Sequence, residues 1–216
     1  MSQKNTLYGI DRIISELDNA LRSLFAKPNA QRTNPADNTD VIDDELSETD
    51  IAKSIELMRI NHVGEICAQA LYQGQAITAK STDTRDKMQH AAQEEVDHLS
   101  WCEDRLTELG GRPSLLNPVW YVGSLLIGTA TGAIGDEWSL GFLKETENQV
   151  EQHLAGHLNE LPVGDNRSRA IVEQMKFDEA EHAKMAEDNG AAELPMIVKG
   201  LMTTSAKAMK VIAAKI

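Results

Sequence analysis

Apolar residues recur at helical spacing through most of the chain, and the breaks between runs divide it into segments. Leu7, Ile10, Ile13, Ile14, Leu17, Leu21, Leu24 and Phe25 form one stripe, which predicts an amphipathic helix over residues 7–26. Residues 27–46 turn to Pro, Asn, Asp and Thr with scattered apolar positions and read as a mobile linker. The helical pattern resumes at Ile51, Ile55, Met58, Val63, Ile66, Ala70 and Ile77. Ser47 or Thr49 can cap it, and Glu48 and Asp50 suit the positive end of a helix. This run reaches about Lys80, where Ser81-Thr82-Asp83 punctuates it. A second run extends from about Thr84 to Leu109, before Gly110-Gly111-Arg112-Pro113 stops it. The two runs predict a helical hairpin.

Ser114 to Gly135 then holds no charged residue, with Trp120, Tyr121, Leu125, Leu126 and Ile127 set among small residues. Its length is that of a bilayer span, but Asn117, Pro118 and its glycines make it a poor spanning helix. Two readings stay open: a buried crossover helix, or a helix lying in the plane of a membrane. A third bundle helix runs from about Asp136 to Glu160 and closes at Leu161-Pro162-Val163-Gly164. Asp165 or Asn166 caps a fourth, which continues through Ile171, Val172, Met175 and Met185 to Asn189-Gly190. Leu194 to Ile216 is apolar with only basic charges, Lys199, Lys207, Lys210 and Lys215. Such a basic amphipathic helix suits either an anionic membrane surface or docking on the bundle.

The chain of 216 residues accommodates one domain with a real core, with residues 1–46 as an appendage to a bundle over 47–216. Aromatics are few, at 4%, which favours helices over sheets. A formal charge of −13 excludes a phosphate backbone as a natural partner. Cys67 and Cys102 lie outside any metal or redox spacing and read as free thiols in a reducing compartment. The first residues carry Asp11, Glu16 and Asp18 and no charged-then-apolar leader, which places the expected site of action on the cytoplasmic side of a bacterial cell.

The chemistry concentrates in two near copies, Glu94-Glu95-Val-Asp-His98 and Asp178-Glu179-Ala-Glu-His182. On a helix, positions three apart share a face, so each copy presents a carboxylate beside an imidazole. Four-helix bundles that hold two metal ions use two such helices and one further Glu from each of two partner helices. Residues level across a hairpin lie equidistant from its turn. Glu65 and Glu95 are centred on the turn near residue 80, and Glu147 and Glu179 on the turn near residue 163. The predicted metal-ligand set is therefore Glu65, Glu95, His98, Glu147, Glu179 and His182, suited to two divalent iron ions. Glu145 and Glu151 compete with Glu147 on the third helix.

A lone Glu-x-x-His means little in a chain with 34 acidic residues and 6 histidines, but two in matching hairpins mean more. Of the other histidines, His62 lies one turn before Glu65 as either a supporting or a solvated residue, His153 is a candidate for proton handling, and His90 reads as surface. Glu94 and Asp178 read as solvent-facing helix acids.

Met58-Arg-Ile-Asn-His-Val-Gly-Glu65, with the two acidic-histidine runs, resembles the demethoxyubiquinol hydroxylases of ubiquinone biosynthesis over roughly residues 50–216. The resemblance implies an all-α, ferritin-like four-helix bundle of two hairpins carrying two Fe2+ ions, peripheral on the cell membrane. It implies insertion of one atom of dioxygen into the ring of a polyprenylated methoxy-methyl-benzoquinol, with the six residues above as iron ligands. Other ubiquinone-biosynthesis proteins are compatible as partners. Some relatives place His-Tyr where this chain has His153-Leu154. Two rival readings remain at this point: a bacterioferritin-like iron store, separable by its hollow shell, and a non-enzymatic membrane-associated scaffold, separable by the lack of iron.

Overall fold

The computed structural model describes residue 21 and residues 26–216. The helix predicted over 7–26 lies almost wholly outside the described residues. Along 26–216 run six α-helices: α1 (Glu48–Thr78), α2 (Thr82–Glu108), α3 (Asn117–Ile134), α4 (Asp136–Glu160), α5 (Asn166–Asp188) and α6 (Met196–Ala213). Among the described residues there is no strand.

The caps explain where the helices begin. Ser47 accepts from the Asp50 amide and Asp50 returns a bond to the Ser47 amide, a capping box that starts α1. Asp165 accepts from the Ser168 amide and starts α5. The turn between α1 and α2 is held from the second hairpin, because Asp136 at the start of α4 accepts from the Lys80 and Ser81 amides at 2.9 and 2.8 Å.

The helices α1 and α2 form one hairpin and α4 and α5 the other, and the two pack through α1, α2, α4 and α5. Helix α3 runs parallel to α1 and returns the chain to the end where α4 starts. Its glycines make that contact: a Cβ on Gly128 would lie 2.0 Å from the Leu71 carbonyl oxygen, and one on Gly132 would lie 2.3 Å from the Thr78 hydroxyl. The glycines that weaken α3 as a membrane span are therefore what lets it seat against α1. We expect Gly128→Ala to cost about 1–3 kcal/mol, as overpacking does, and to lower the midpoint of a thermal melt by several degrees.

The opposite face of α3 is unburied. Leu115 before the helix and Val119, Val122 and Leu126 within it form an exposed apolar stripe, beside Ile127 and Ile134. The segment is seated on the bundle by one face and leaves the other apolar and exposed. Among the described residues no helix is long and apolar enough to cross a membrane. Helix α6 is docked in part: Ala213 is buried with Ile60 and Val63, while Met196, Ile197, Leu201 and Val211 are exposed.

Residues 27–46 differ from the mobile linker that composition suggests. They lie along the α2–α5 face as a strap, with a short 3-10 turn at Pro35–Asp37. Ala36 is buried, Arg167 donates to the Ala36 carbonyl at 2.6 Å, and the Asp44 amide donates to the Gly164 carbonyl at 2.9 Å. Asp43 accepts from Arg105 and from the Arg167 amide. The strap buries little of its own apolar surface; it is held by polar bonds to the bundle, which composition alone does not register.

Two apolar layers of the core flank the predicted ligands. One gathers Leu71, Tyr72, Met88, Leu140, Leu143 and Ala186; the other gathers Leu57, Met58, Trp101, Leu106, Ile171 and Met175. On each of α1, α2, α4 and α5 the predicted ligand falls between its contributions to these layers.

Candidate metal centre

Between the layers the structure brings together all six predicted ligand residues, each at most 6% exposed. They form two overlapping groups, Glu65-Glu95-His98-Glu179 and Glu95-Glu147-Glu179-His182, in each of which one ligand atom per residue lies within 4.8 Å of the others. Glu95 and Glu179 belong to both. Glu179 turns Oε1 to His98 Nδ1 at 3.2 Å and Oε2 to His182 Nδ1 at 3.1 Å. Glu95 turns Oε2 to His98 Nδ1 at 3.3 Å and Oε1 to His182 Nδ1 at 3.7 Å. Glu65 lies 3.6 Å from His98 Nδ1 alone, and Glu147 3.8 Å from His182 Nδ1 alone. Two carboxylates lie between two positions, and a carboxylate and an imidazole end each of them.

Glu145 and Glu151 stay outside: Glu145 binds Lys199 at 3.1 Å and Glu151 faces Lys176 at 3.9 Å. Level height across the hairpin thus picks the residue that reaches the centre.

The residues suit metal ions. Glu95 Oε1 and Glu147 Oε2 are buried without a hydrogen-bond partner, a costly state for a carboxylate oxygen unless something binds it. Burial, with repulsion from Glu179, holds the Glu95 and Glu147 carboxyls well above the usual range. Burial also opposes ionisation of Glu179, but hydrogen bonds and charge from His182 and His98 outweigh it and hold Glu179 ionised. Burial would lower His182, yet bonds to Glu179 and Glu94 push it up to about 12, and His98 is raised well above its ordinary value by Asp178 and Glu179. Groups with raised pKa retain protons at neutral pH that the metal-bound form lacks, so metal uptake releases protons and weakens as pH falls. Ferrous iron added to metal-free protein in weak buffer is expected to acidify it, as a pH indicator would report.

Glu94 and Asp178 correct the reading of them as solvent-facing acids. Glu94 on α2 binds His182 Nε2 on α5 at 2.7 Å, and Asp178 on α5 binds His98 Nε2 on α2 at 3.0 Å. Each acid steadies the histidine of the other hairpin and leaves Nδ1 facing the centre. A signal exists in the sequence, since both copies carry an acid just before the ligand Glu, but a bond across hairpins has no sequence spacing. Tyr72, buried on α1, donates its hydroxyl to Glu147 Oε1, a role that sequence reasoning missed.

The remaining histidines lie elsewhere. Burial pushes His62 down to about 4, with Asn117 Nδ2 3.5 Å away, and His90 is exposed at 3.1 Å from Glu94. His153 Nε2 faces His157 Nε2 at 3.1 Å, and burial pushes His153 down to about 2. The pair lines a cavity of about 440 Å³ with Leu57, Ile60 and Lys210.

Fold and cluster together define the class: ferritin-like helical bundles whose carboxylate- and histidine-lined centre can take two adjacent metal ions. The family model of the ubiquinone biosynthesis protein COQ7 matches residues 52–213, and the chain belongs to that family. It is 55% identical over 200 residues to the 3-demethoxyubiquinol 3-hydroxylase of Chromobacterium violaceum, covering 93% of this chain and 96% of that one. The enzymes of the same name from Nitrosomonas europaea and Polaromonas naphthalenivorans are each 54% identical. The first match covers 94% of this chain and 97% of the relative, the second 96% and 98%.

Proposed function

We propose that this chain is a di-iron monooxygenase that hydroxylates the ring of a polyprenylated methoxy-methyl-benzoquinol, the 3-demethoxyubiquinol 3-hydroxylase reaction of ubiquinone biosynthesis. The observation that carries the reading is the pair of carboxylates, Glu95 and Glu179, that each turn one oxygen to either histidine. Glu65 and His98 would hold one ferrous ion, Glu147 and His182 the other, with Glu95 and Glu179 between them. Four carboxylates balance two divalent charges. When bound, the two ions supply the redox chemistry by which one atom of dioxygen enters the ring and the other leaves as water, with two electrons and two protons from a reductant.

The chain's own residues prepare the centre. Glu94 and Asp178 accept from Nε2 of the two imidazoles and keep each Nδ1 free to ligate. Tyr72 fixes the orientation of Glu147. The apolar layers above and below exclude water. The cavity beside His153 offers the ring an approach between α1 and α4. Its Ile60 is five residues from Glu65 and its His153 six from Glu147, roughly 8–9 Å along the helix axes. His153 and His157 line that approach as neutral imidazoles; burial pushes them down to about 2 and about 4, which makes them hydrogen-bonding groups for the ring rather than bases that take up its proton.

The substrate class is insoluble, and the exposed stripe Val119-Val122-Leu126 with the basic charges of α6 supports a peripheral seat on the cytoplasmic face of the cell membrane. Relatives above 50% identity that are named hydroxylases favour this reading over iron storage or a scaffold. The test is reconstitution without oxygen, followed by vesicles carrying the demethoxyquinol and an electron donor. Two iron ions per chain and one dioxygen consumed per ring hydroxylated are expected. Iron-loaded protein without turnover, eluting as a hollow shell, would point to storage instead. Val122→Glu with Leu126→Glu should abolish pelleting with anionic vesicles while leaving iron content unchanged.

A further inference from the structure

The two halves of the centre repeat each other in their ligands but not in what surrounds them. On one side Glu94 binds His182 and is itself met, among the described residues, by the exposed His90, with the Arg32 charge reaching it only through space. On the other side Asp178 binds His98, and the strap adds Arg32. Arg32 Nη1 lies 2.8 Å from Asp178 Oδ2, and Arg32 Nε donates to Asp97 Oδ2 at 2.8 Å. Asp97 Oδ1 also accepts from the Gln31 amide at 2.6 Å, and the guanidinium lies over the Trp101 ring, 4.9 Å from its centroid. Arg32 Nη2 is 3.2 Å from His98 Nε2. A guanidinium only donates, so once Nδ1 takes a metal the Nε2 proton points to Asp178 and Arg32 acts through that carboxylate. The Asp178 side chain is 11% exposed against 31% for Glu94.

Resting on the di-iron reading, we infer that Arg32 is a positioning residue for the centre. By clamping Asp178 it fixes His98 and makes the Glu65-Glu95-His98-Glu179 position the tighter of the two. The strap is thereby a working part of the metal site, although it lies before the matched family segment that starts at residue 52. Carboxylates that orient a metal-bound histidine contribute about 10–100-fold in metal affinity, and a clamp acting through one should reach the lower end of that range.

The experiment is anaerobic equilibrium dialysis of the full chain against ferrous iron, for wild type, Arg32→Gln, Arg32→Lys and Arg167→Gln. Arg167 holds the strap at Ala36, pairs with Glu108 of α2 and touches no ligand, so its variant reports on loosened strap and hairpin packing without a change beside the centre. Thermal melts of the metal-free proteins run alongside. Wild type should take up two ions in two steps; Arg32→Gln should weaken the first step about tenfold and the second much less, because Arg32 is bonded to Asp178 but reaches Glu94 only through space. Arg32→Lys should recover part of that loss, because it restores the charge without the fork. Arg32→Gln with unaltered steps, or weakened no more than Arg167→Gln at equal loss of melting temperature, would overturn the role of Arg32 and leave the iron reading standing. Wild type that takes up no iron would overturn that reading and this inference with it.

Discussion

Glu179→Gln is expected to abolish binding at both metal positions, while Glu65→Gln should leave one ion bound per chain. The difference follows from sharing. Glu179 lies within reach of both histidines, at 3.2 and 3.1 Å, whereas Glu65 belongs to the His98 group alone. The introduced amide keeps the shape of the carboxylate but not its charge, and the cluster loses the carboxylate that both raised imidazoles hold ionised. Iron content by metal analysis should fall from two to near none in Glu179→Gln and to about one in Glu65→Gln. Hydroxylation should fall by roughly a thousandfold or more in both, since chemistry worth several kcal/mol is lost at about 1.4 kcal/mol per tenfold. Equal iron content in the two variants would contradict the shared-carboxylate geometry.

Arg105→Met is expected to cause the largest loss of stability from a single change away from the centre. Arg105 is 3% exposed and joins three parts of the chain. It donates to Ser168 at 2.9 Å, to Asp165 at 2.7 Å and to Asp43 of the strap at 2.7 Å. Asp165 is fully buried and caps α5, so removal of the guanidinium strands a carboxylate that cannot reach water. Breaking such a pair from one side costs about 3–5 kcal/mol. For a chain of this size that lowers the melting midpoint by roughly 10 °C. Methionine retains the apolar stem, which isolates the charge from the packing. Adding Asp165→Asn should recover part of the loss, because the stranded charge is gone; a double variant less stable than Arg105→Met would reject this account.

The hairpins and the ligand set are legible in the sequence because they rest on local rules. Helical periodicity, caps and turns fix which residues stand level, and level height singles out Glu65 and Glu147 from neighbours such as Glu145. The rest depends on contacts between segments distant in sequence. Glu94 and Asp178 carry the spacing of ordinary surface acids, and only the packing of one hairpin on the other brings them to His182 and His98. Tyr72 is seven residues past Glu65, on a helix with many apolar positions, and nothing in the sequence sets it apart. The strap escapes sequence reading for a similar reason. Its polar composition usually means solvent, but Arg32, Asp43 and the backbone around Ala36 find partners on α2 and α5. The glycines of α3 are legible as features but not as a seam, since their role is set by the backbone of α1.

The exchange of carboxylates between halves has a consequence for assembly. Glu65, Glu95 and His98 come from one hairpin, and Glu147, Glu179 and His182 from the other. Each group that could hold a metal ion takes three residues from one hairpin and one on loan from its neighbour. A chain emerging from the ribosome has neither position complete until α5 has been made and docked. Scavenging of stray ions by a half-built chain is disfavoured, and the ions, once in place, rivet the two halves so that their loss would be felt first as a loosening of one hairpin against the other.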